Sequence, residues 1–326
     1  MKRISIIGLG QAGLRHLNAV ARLEDIEIFA LAEKDPNVFD DLELEKEIRK
    51  VNNYELIDQT DGIVVVSLPH SMLKECSIHF LNKGNHVLIE KPMCLNLDEA
   101  IDFEKKIENL KQKVSVSYVH RFRREVCKLK KLMDERILGK LISTNSEIYT
   151  LKRNPFPEWL LNYSISGGGV LIYSAIHTID MLSWLISDRC KRVEARLEMI
   201  QNTNIERSAI CRLEFENGII SNLNVAVVED KNITRWKTTF YYQNGIIELT
   251  VKKGVKLITE GKTFDYKNEK ELSDNYNFEK QIVQVINYTK DKLSPNIGFD
   301  DGFQALNILH NLYLSHKQSN PIDLNS

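Results

Sequence analysis

Short, nearly continuous apolar runs alternate with amphipathic stretches over the first 120 residues. Lys2–Leu9, Glu27–Ala32, Gly62–Ser67 and His86–Ile89 read as strands. Strands buried on both faces are apolar at almost every position. Between them lie helical or charged segments: one from Gln11, with Leu14, Leu17, Val20, Ala21 and Leu23 as its packed face, then Pro36–Lys50, Ser71–Asn82 and Asn96–Leu110. Gly84 is a helix stop, and Lys113–Tyr118 adds a last strand. This alternation predicts a doubly wound parallel sheet. After His120 the pattern changes. A basic amphipathic helix over Arg121–Arg136 carries Phe122, Val126, Leu129 and Met133, and from Lys140 to about Phe264 the chain is strand-rich. Asn217-Gly218 and Asn244-Gly245 are hairpin signals within it. A long helix after Gly167-Gly168-Gly169 interrupts the strands, and helices at Tyr276–Lys290 and Asp300–Lys317 close the chain. The fold expected is α/β: a Rossmann-type domain over 1–120, then an α/β domain over 121–326 with a large, mainly antiparallel open sheet.

Composition narrows the functions. The chain has 326 residues, 44 basic and 45 acidic side chains, and a net charge of −1. That length suits two domains, and the balance points to neither nucleic acid nor a membrane surface as partner. Cys76, Cys94, Cys127, Cys190 and Cys211 are scattered without a CxxC pair, which fits reduced thiols rather than a disulfide framework or a zinc site. The histidines lack metal-ligand spacing, so no metal is expected. No apolar run is read as long enough for a membrane span, and MKRISIIGLG enters a strand without a signal peptide's features. The expected location is the cytoplasm.

The chemistry gathers at strand ends. Gly8-Leu9-Gly10-Gln11-Ala12-Gly13 follows the first strand and opens the first helix. In that context Gly8 permits the tight turn, Gly10 lets a pyrophosphate approach, Gly13 lets helix and strand pack, and N–H groups around Gln11 and Ala12 supply the anion site. Glu33 lies 20 residues beyond Gly13, the spacing of a ribose-binding carboxylate, which favours NAD over NADP; the neighbouring Lys34 works against that choice. Leu68-Pro69-His70 closes the third apolar run. In NHVLIEKP, Pro92 cannot continue a ladder, so the strand ends at Glu90 and Lys91, at the edge where such sheets bind ligands. Arg121 follows another strand end. In the second domain three glycines allow close backbone approach to a ligand or another chain. Tyr173 and His177, four apart, lie on one helix face with Trp184 further along; either could instead be a core residue.

GLGQAG, VSLPH, VLIEKP, the GGG-helix carrying His177, and IGFDDGFQALNILHNLYLS together resemble the Gfo/Idh/MocA oxidoreductases over nearly the whole chain. The resemblance implies a Rossmann domain followed by an α/β domain whose open sheet forms homodimers or homotetramers. It implies hydride transfer between a nicotinamide and a carbinol carbon of a sugar, polyol or nucleotide-linked sugar. Lys91 then matches the family's active-site lysine and His177 its histidine. The sequence departs in two places: Tyr173 stands where members often have Asp, and His70 where Asn is common. The UDP-N-acetylglucosaminuronate 3-dehydrogenases also differ at the first position, which points toward a UDP-sugar uronate. On this reading the cofactor lies on Gly10–Gly13 and Glu33, with Leu68, Pro69 and His70 at its mid-section and Glu90 and Lys91 beside the nicotinamide. The substrate hydroxyl meets Lys91 as oxygen anchor, His177 as acid/base, since imidazole titrates near neutrality, and Tyr173 as hydrogen-bond donor. Arg121, Trp159, Tyr118 and His120 are candidates for the substrate wall. Two other readings use the same scaffold: a nucleotide-binding regulatory or scaffold protein without turnover, and a reductase of an imine or conjugated double bond.

Overall fold

A computed structural model of the chain describes residues 2–42, 48–152, 157–267, 275–291, 293 and 295–324. The chain divides into two compact units, Met1–Val119 with Leu272–Phe303, and His120–Glu271 with Gln304–Ser326.

In the first unit, β1 (Lys2–Ile7), β2 (Ile26–Ala32), β3 (Arg49–Val51), β4 (Ile63–Val66), β5 (His86–Ile89) and β6 (Val114–Val116) form a sheet of order β3-β2-β1-β4-β5-β6. Every neighbouring pair is parallel. The residues of β4, and Val87–Ile89 of β5, are buried. Each such side chain contributes about 1.5–3 kcal/mol over an exposed one, which is why these runs admit no polar residue. Helices Gln11–Val20, His70–Asn82 and Leu97–Lys106 complete the crossovers. The strand order reverses between β1 and β4, so the ligand crevice of this sheet type opens beyond their carboxyl ends.

Two expectations change here. The helix expected at Pro36–Lys50 is only a 3-10 turn at Pro36–Phe39, and Arg49–Lys50 belong to β3, paired parallel to β2; residues 43–47 lie outside the described residues. An edge strand tolerates charge and needs few residues, so its periodicity is too short to read. Leu272–Phe303, assigned by sequence to the second domain, packs in the first unit. There the Asn275–Asp291 helix puts Ile282, Val285 and Ile286 into one apolar cluster with Leu17 and Val20 of the first helix.

In the second unit, β7 (Leu141–Leu151), β8 (Cys190–Met199), β9 (Glu206–Phe215), β10 (Ile220–Val228), β11 (Arg235–Tyr242), β12 (Gly245–Thr250), β13 (Gly254–Thr259), β14 (Lys262–Lys267) and β15 (Ile322–Asp323) form a sheet of order β14-β13-β12-β11-β7-β10-β9-β8-β15. Only β7 and β10 pair in parallel. One face is apolar, with Ile148, Leu223, Val225, Leu213 and Phe240 buried. The other carries Asn145, Glu147, Asn222 and Arg212, the period-two alternation of a one-sided sheet. The basic helix starts later than expected, at Arg124–Asp134 after a 3-10 turn at Val119–Phe122, and buries Val126, Leu129 and Leu132. Contrary to the sequence reading, Tyr163–Ile186 is long and apolar enough by composition for a membrane span; 89 % of its most apolar 18-residue stretch is buried, as in a core helix.

Candidate functional site

The glycine motif of the first unit separates into two roles. Gly8 has φ +84°, and a Cβ there would lie 2.2 Å from the Ser67 carbonyl oxygen. A Cβ on Gly13 would lie 1.9 Å from the Gly8 carbonyl oxygen. Both glycines are demanded by the fold itself. Gly10 is different: it is exposed, with φ −65°, and its Cβ would meet nothing within 4 Å. It caps the Gln11–Val20 helix without a side-chain hydrogen bond, so first-turn N–H groups around Gln11 and Ala12 are available to an anion. The residues present fit a pyrophosphate. Glu33 Oε2 accepts the Leu9 N–H at 2.7 Å and Oε1 accepts the Asp35 N–H at 3.3 Å, which fixes the carboxylate beside the loop with lone pairs left for a ribose. Pro69 caps the His70–Asn82 helix, and His70 is buried as its first residue.

Glu90 and Lys91 follow β5. Glu90 is buried yet accepts three hydrogen bonds: Oε1 lies 2.8 Å from His16 Nε2 and 2.8 Å from Ser117 Oγ, and Oε2 takes the Lys91 N–H at 3.2 Å. Burial alone would raise its pKa. The hydrogen bond and charge of His16, the charge of Lys91 and the Ser117 hydroxyl outweigh that and bring it below the usual carboxylate value. Glu90 and Lys91 thus form a charge pair at the end of β5.

In the second unit, His177 lies flat on His120, with ring centroids 4.2 Å apart and 13° between planes, and Trp236 of β11 edges the pair at 4.6 Å from His120. Trp236 Nε1 donates to Thr178 Oγ1 at 2.9 Å, which fixes the indole against the helix. Arg121 does not stand free at a substrate wall. Its guanidinium binds Asp180 in a bidentate pair, Nε to Oδ2 at 2.9 Å, buried at both ends, and lies 5.4 Å from the Trp184 ring. Trp159 is half-buried in the Glu158–Leu161 turn.

Tyr173 sits in a π-helical turn, Leu171–Ala175, just before the Ile176–Ile186 helix. It lines a half-open cavity of about 1310 Å³ together with Tyr149, Leu161 and Glu206, and His177 is not among the lining residues. Tyr173 thus borders the cavity, and His177 stacks on His120. The three glycines also change meaning. A Cβ on Gly168 would lie 2.2 Å from the Tyr313 hydroxyl, and one on Gly169 2.0 Å from the Glu206 carbonyl oxygen. At these two positions the close approach is to the chain's own residues. It lets the buried Glu206 carboxylate accept the Gly169 N–H at 2.8 Å, the Leu171 N–H at 2.9 Å and the Tyr313 hydroxyl at 3.0 Å. Burial raises the Glu206 pKa, and these donors only partly offset it. The Tyr313 hydroxyl is raised well above its ordinary value by burial, then by the Glu206 charge.

Sequence reasoning missed His16, Ser117, Asp180, Glu206, Trp236 and Tyr313. Asp180, three residues after His177, could have been read from helical spacing. The others reach their partners across long stretches of chain, and no local pattern marks them.

Comparison with known proteins supports this architecture. The family described as "Oxidoreductase family, NAD-binding Rossmann fold" matches residues 2–118, and "GFO/IDH/MocA C-terminal domain" matches residues 126–248. Glucose-6-phosphate 3-dehydrogenase of Bacillus subtilis is 30 % identical over 212 residues, 63 % of this chain and 59 % of that protein. Myo-inositol 2-dehydrogenase of Thermotoga maritima is 25 % identical over 240 residues, 69 % of each. The match thus spans less than two thirds of the Bacillus protein. The WlbA dehydrogenase from Bordetella pertussis, solved with NADH and UDP-GlcNAcA, has the same fold with a TM-score of 0.83 at 18 % identity, over 100 % of this chain and 99 % of that one.

Proposed function

The chain belongs to the Gfo/Idh/MocA oxidoreductases, and we propose that it moves a hydride between NAD and a carbinol or keto carbon of a sugar, polyol or nucleotide-linked sugar. The observation that carries this reading lies within the first unit. β1, β4 and β5 are neighbours in the sheet, so the glycine loop, the Leu68-Pro69 turn and Lys91 emerge side by side at one edge. At about 4.8 Å per strand, Lys91 stands two steps, about 10 Å, from the phosphate cradle. Glu33 at the end of β2 suits the free ribose hydroxyls of NAD and would repel a 2′-phosphate.

Bound NAD supplies the hydride acceptor, and its reduced form the donor. The Lys91 ammonium, beside the Glu90 carboxylate, holds the substrate oxygen and stabilises negative charge developing on it. His177 takes the hydroxyl proton during oxidation and returns it during reduction. Tyr173 donates a hydrogen bond to the substrate. A substrate larger than a single sugar ring is favoured by the cavity at Tyr173, which exceeds the roughly 300–1,000 Å³ of ordinary ligand pockets. Around it stand Lys152, Arg207 and Arg235, paired with Glu229, Glu198 and Glu147. Such half-exposed pairs are weak enough to yield to a phosphate or carboxylate, and a UDP-sugar uronate is the finer form of the proposal. The open face of the nine-stranded sheet, where Ile210 is 66 % exposed, supports self-association as a homodimer or homotetramer. All five cysteines are free, which suits the cytoplasm.

The test is cofactor reduction by the purified protein with a panel of sugars, polyols and UDP-sugars, beside Lys91→Ala and His177→Asn. Turnover by the wild type should fall by roughly 10²–10⁴-fold in each variant. A panel without turnover, or variants as fast as the wild type, would refute the assignment.

A further inference from the structure

The His16 side chain is fully buried on the cofactor-binding helix of the first unit, six residues beyond Gly10. Its Nε2 points at Glu90, 74 positions away in sequence, and the Phe278 ring edges the imidazole at 4.8 Å. Among the described residues its Nδ1 is buried without a hydrogen-bond partner. A buried nitrogen left bare is unfavourable by about 1–3 kcal/mol, so stability alone is a poor reason for histidine here. What the side chain does achieve is a single directed contact with a carboxylate. The same Glu90 oxygen takes the Ser117 hydroxyl, Ser117 Oγ lies 3.1 Å from Gln281 Oε1, and the other Glu90 oxygen takes the Lys91 N–H. One carboxylate therefore ties together the helix after β1, the end of β5 and the end of β6. Of the described groups around it, His16 and Lys91 can carry charge, while Ser117 and Gln281 are neutral.

We propose that His16 is a positioning residue for hydride transfer: by clamping Glu90 it sets both the place and the charge of Lys91. Without the imidazole, the buried carboxylate loses its strongest donor and takes up a proton at higher pH. Lys91 then loses its counter-charge and one constraint on its backbone. Because His16 sits on the helix whose N-terminus receives the pyrophosphate, the clamp also links the cofactor cradle to the lysine. This inference rests on the role given to Lys91 above.

The experiment compares wild type, His16→Leu, His16→Gln and Glu90→Gln in two readouts. In the first, kcat is followed against pH. His16→Leu should keep NADH affinity within about twofold, lose roughly tenfold in kcat near neutrality and shift its acidic limb upward. His16→Gln, whose amide N–H reaches the same oxygen, should recover most of the loss. The second readout needs no substrate: the rate at which an amine acylating reagent modifies Lys91 in the cofactor-free protein, read by mass spectrometry. His16→Leu and Glu90→Gln should both be acylated several-fold faster at a fixed pH, as expected of a lysine that has lost its counter-ion. Wild-type inactivity across the substrate panel would refute the proposed function, while the acylation rates would still decide the clamp. Unchanged acylation, or an unchanged pH profile with only a lower melting temperature, would overturn it. Should His16→Leu fail to fold, Glu90→Gln carries the acylation test with the same two outcomes.

Discussion

Alanine placed at Gly10 and at Gly13 should give opposite phenotypes, although the two positions are three residues apart in one motif. At Gly10 the backbone, φ −65° and ψ −173°, suits alanine, and the new Cβ meets no protein atom within 4 Å. The cofactor-free protein should gain about 0.4–1 kcal/mol through its unfolded chain. On the proposed placement of the cofactor, the methyl group instead fills space that the pyrophosphate needs. Crowding of that size costs about 1–3 kcal/mol, which weakens NADH binding by roughly 5- to 150-fold. At Gly13 the Cβ would lie 1.9 Å from a backbone oxygen, 1.5 Å short of the 3.4 Å at which ordinary contact begins. Neither helix nor strand can yield that far cheaply, so the loss should reach about 3 kcal/mol or more. For a unit of this size that is a fall of roughly 6–12 °C in melting temperature. Thermal unfolding without cofactor and NADH fluorescence titration separate the effects. Wild-type NADH affinity in Gly10→Ala, or a melting temperature falling as far as in Gly13→Ala, would refute the division of roles.

Glu206→Gln should cost about 1–3 kcal/mol, because the amide NH₂ must face the N–H of either Gly169 or Leu171. The Glu206 pKa is raised in the folded protein, so its stabilisation is full below the unfolded carboxyl value near 4.5 and is lost as pH rises through the folded value. The melting-temperature gap between wild type and Glu206→Gln should therefore narrow as pH rises from 4 upward, and a gap that widens contradicts the burial argument. Asp180→Asn strips the buried Arg121 of its counter-charge and should destabilise by about 3–5 kcal/mol; denaturant melts showing under 1 kcal/mol would show that the pair is well solvated. Glu33→Ser removes the carboxylate from the ribose position and the acceptor from the Leu9 N–H. NAD binding should weaken roughly tenfold while NADP binding gains relative to it, and parallel titrations with an unchanged ratio would count against Glu33 as the discriminator.

What could be read from sequence was whatever depends on neighbours along the chain. The Rossmann sheet was legible because β4 and β5 are apolar at almost every position, and the edge holding Lys91 was legible because Pro92 ends the strand. Hairpins join β9 to β10 and β11 to β12 at the Asn217-Gly218 and Asn244-Gly245 signals, although in the second Gly245 already pairs with Tyr242 and the turn is Gln243-Asn244. Three residues of β3 carry too little pattern to compete with a charged, helix-like stretch around them. The return of Leu272–Phe303 to the first unit was hidden for another reason: an amphipathic helix reveals its apolar stripe but not which unit that stripe will meet.

Four of the residues that spacing could not find, His16, Ser117, Glu206 and Tyr313, share one physical device. In each unit a buried carboxylate accepts three hydrogen bonds and thereby fixes a candidate functional position: Glu90 beside Lys91, and Glu206 under the turn that carries Tyr173. The two differ in the charge of their donors. Glu90 faces His16 and Lys91, both capable of positive charge, and its pKa falls despite burial. Glu206 faces two backbone N–H groups and a phenol, all neutral, and burial wins. Acidification therefore reaches the Tyr173 side first. Glu206 takes up its proton while Glu90 is still ionised and Lys91 still has its counter-charge. An acidic limb in activity that disappears in Glu206→Gln would trace to the positioning of Tyr173. One that moves in His16→Leu would trace to Lys91, and the order of the two along the pH axis follows from which carboxylate has a cation beside it.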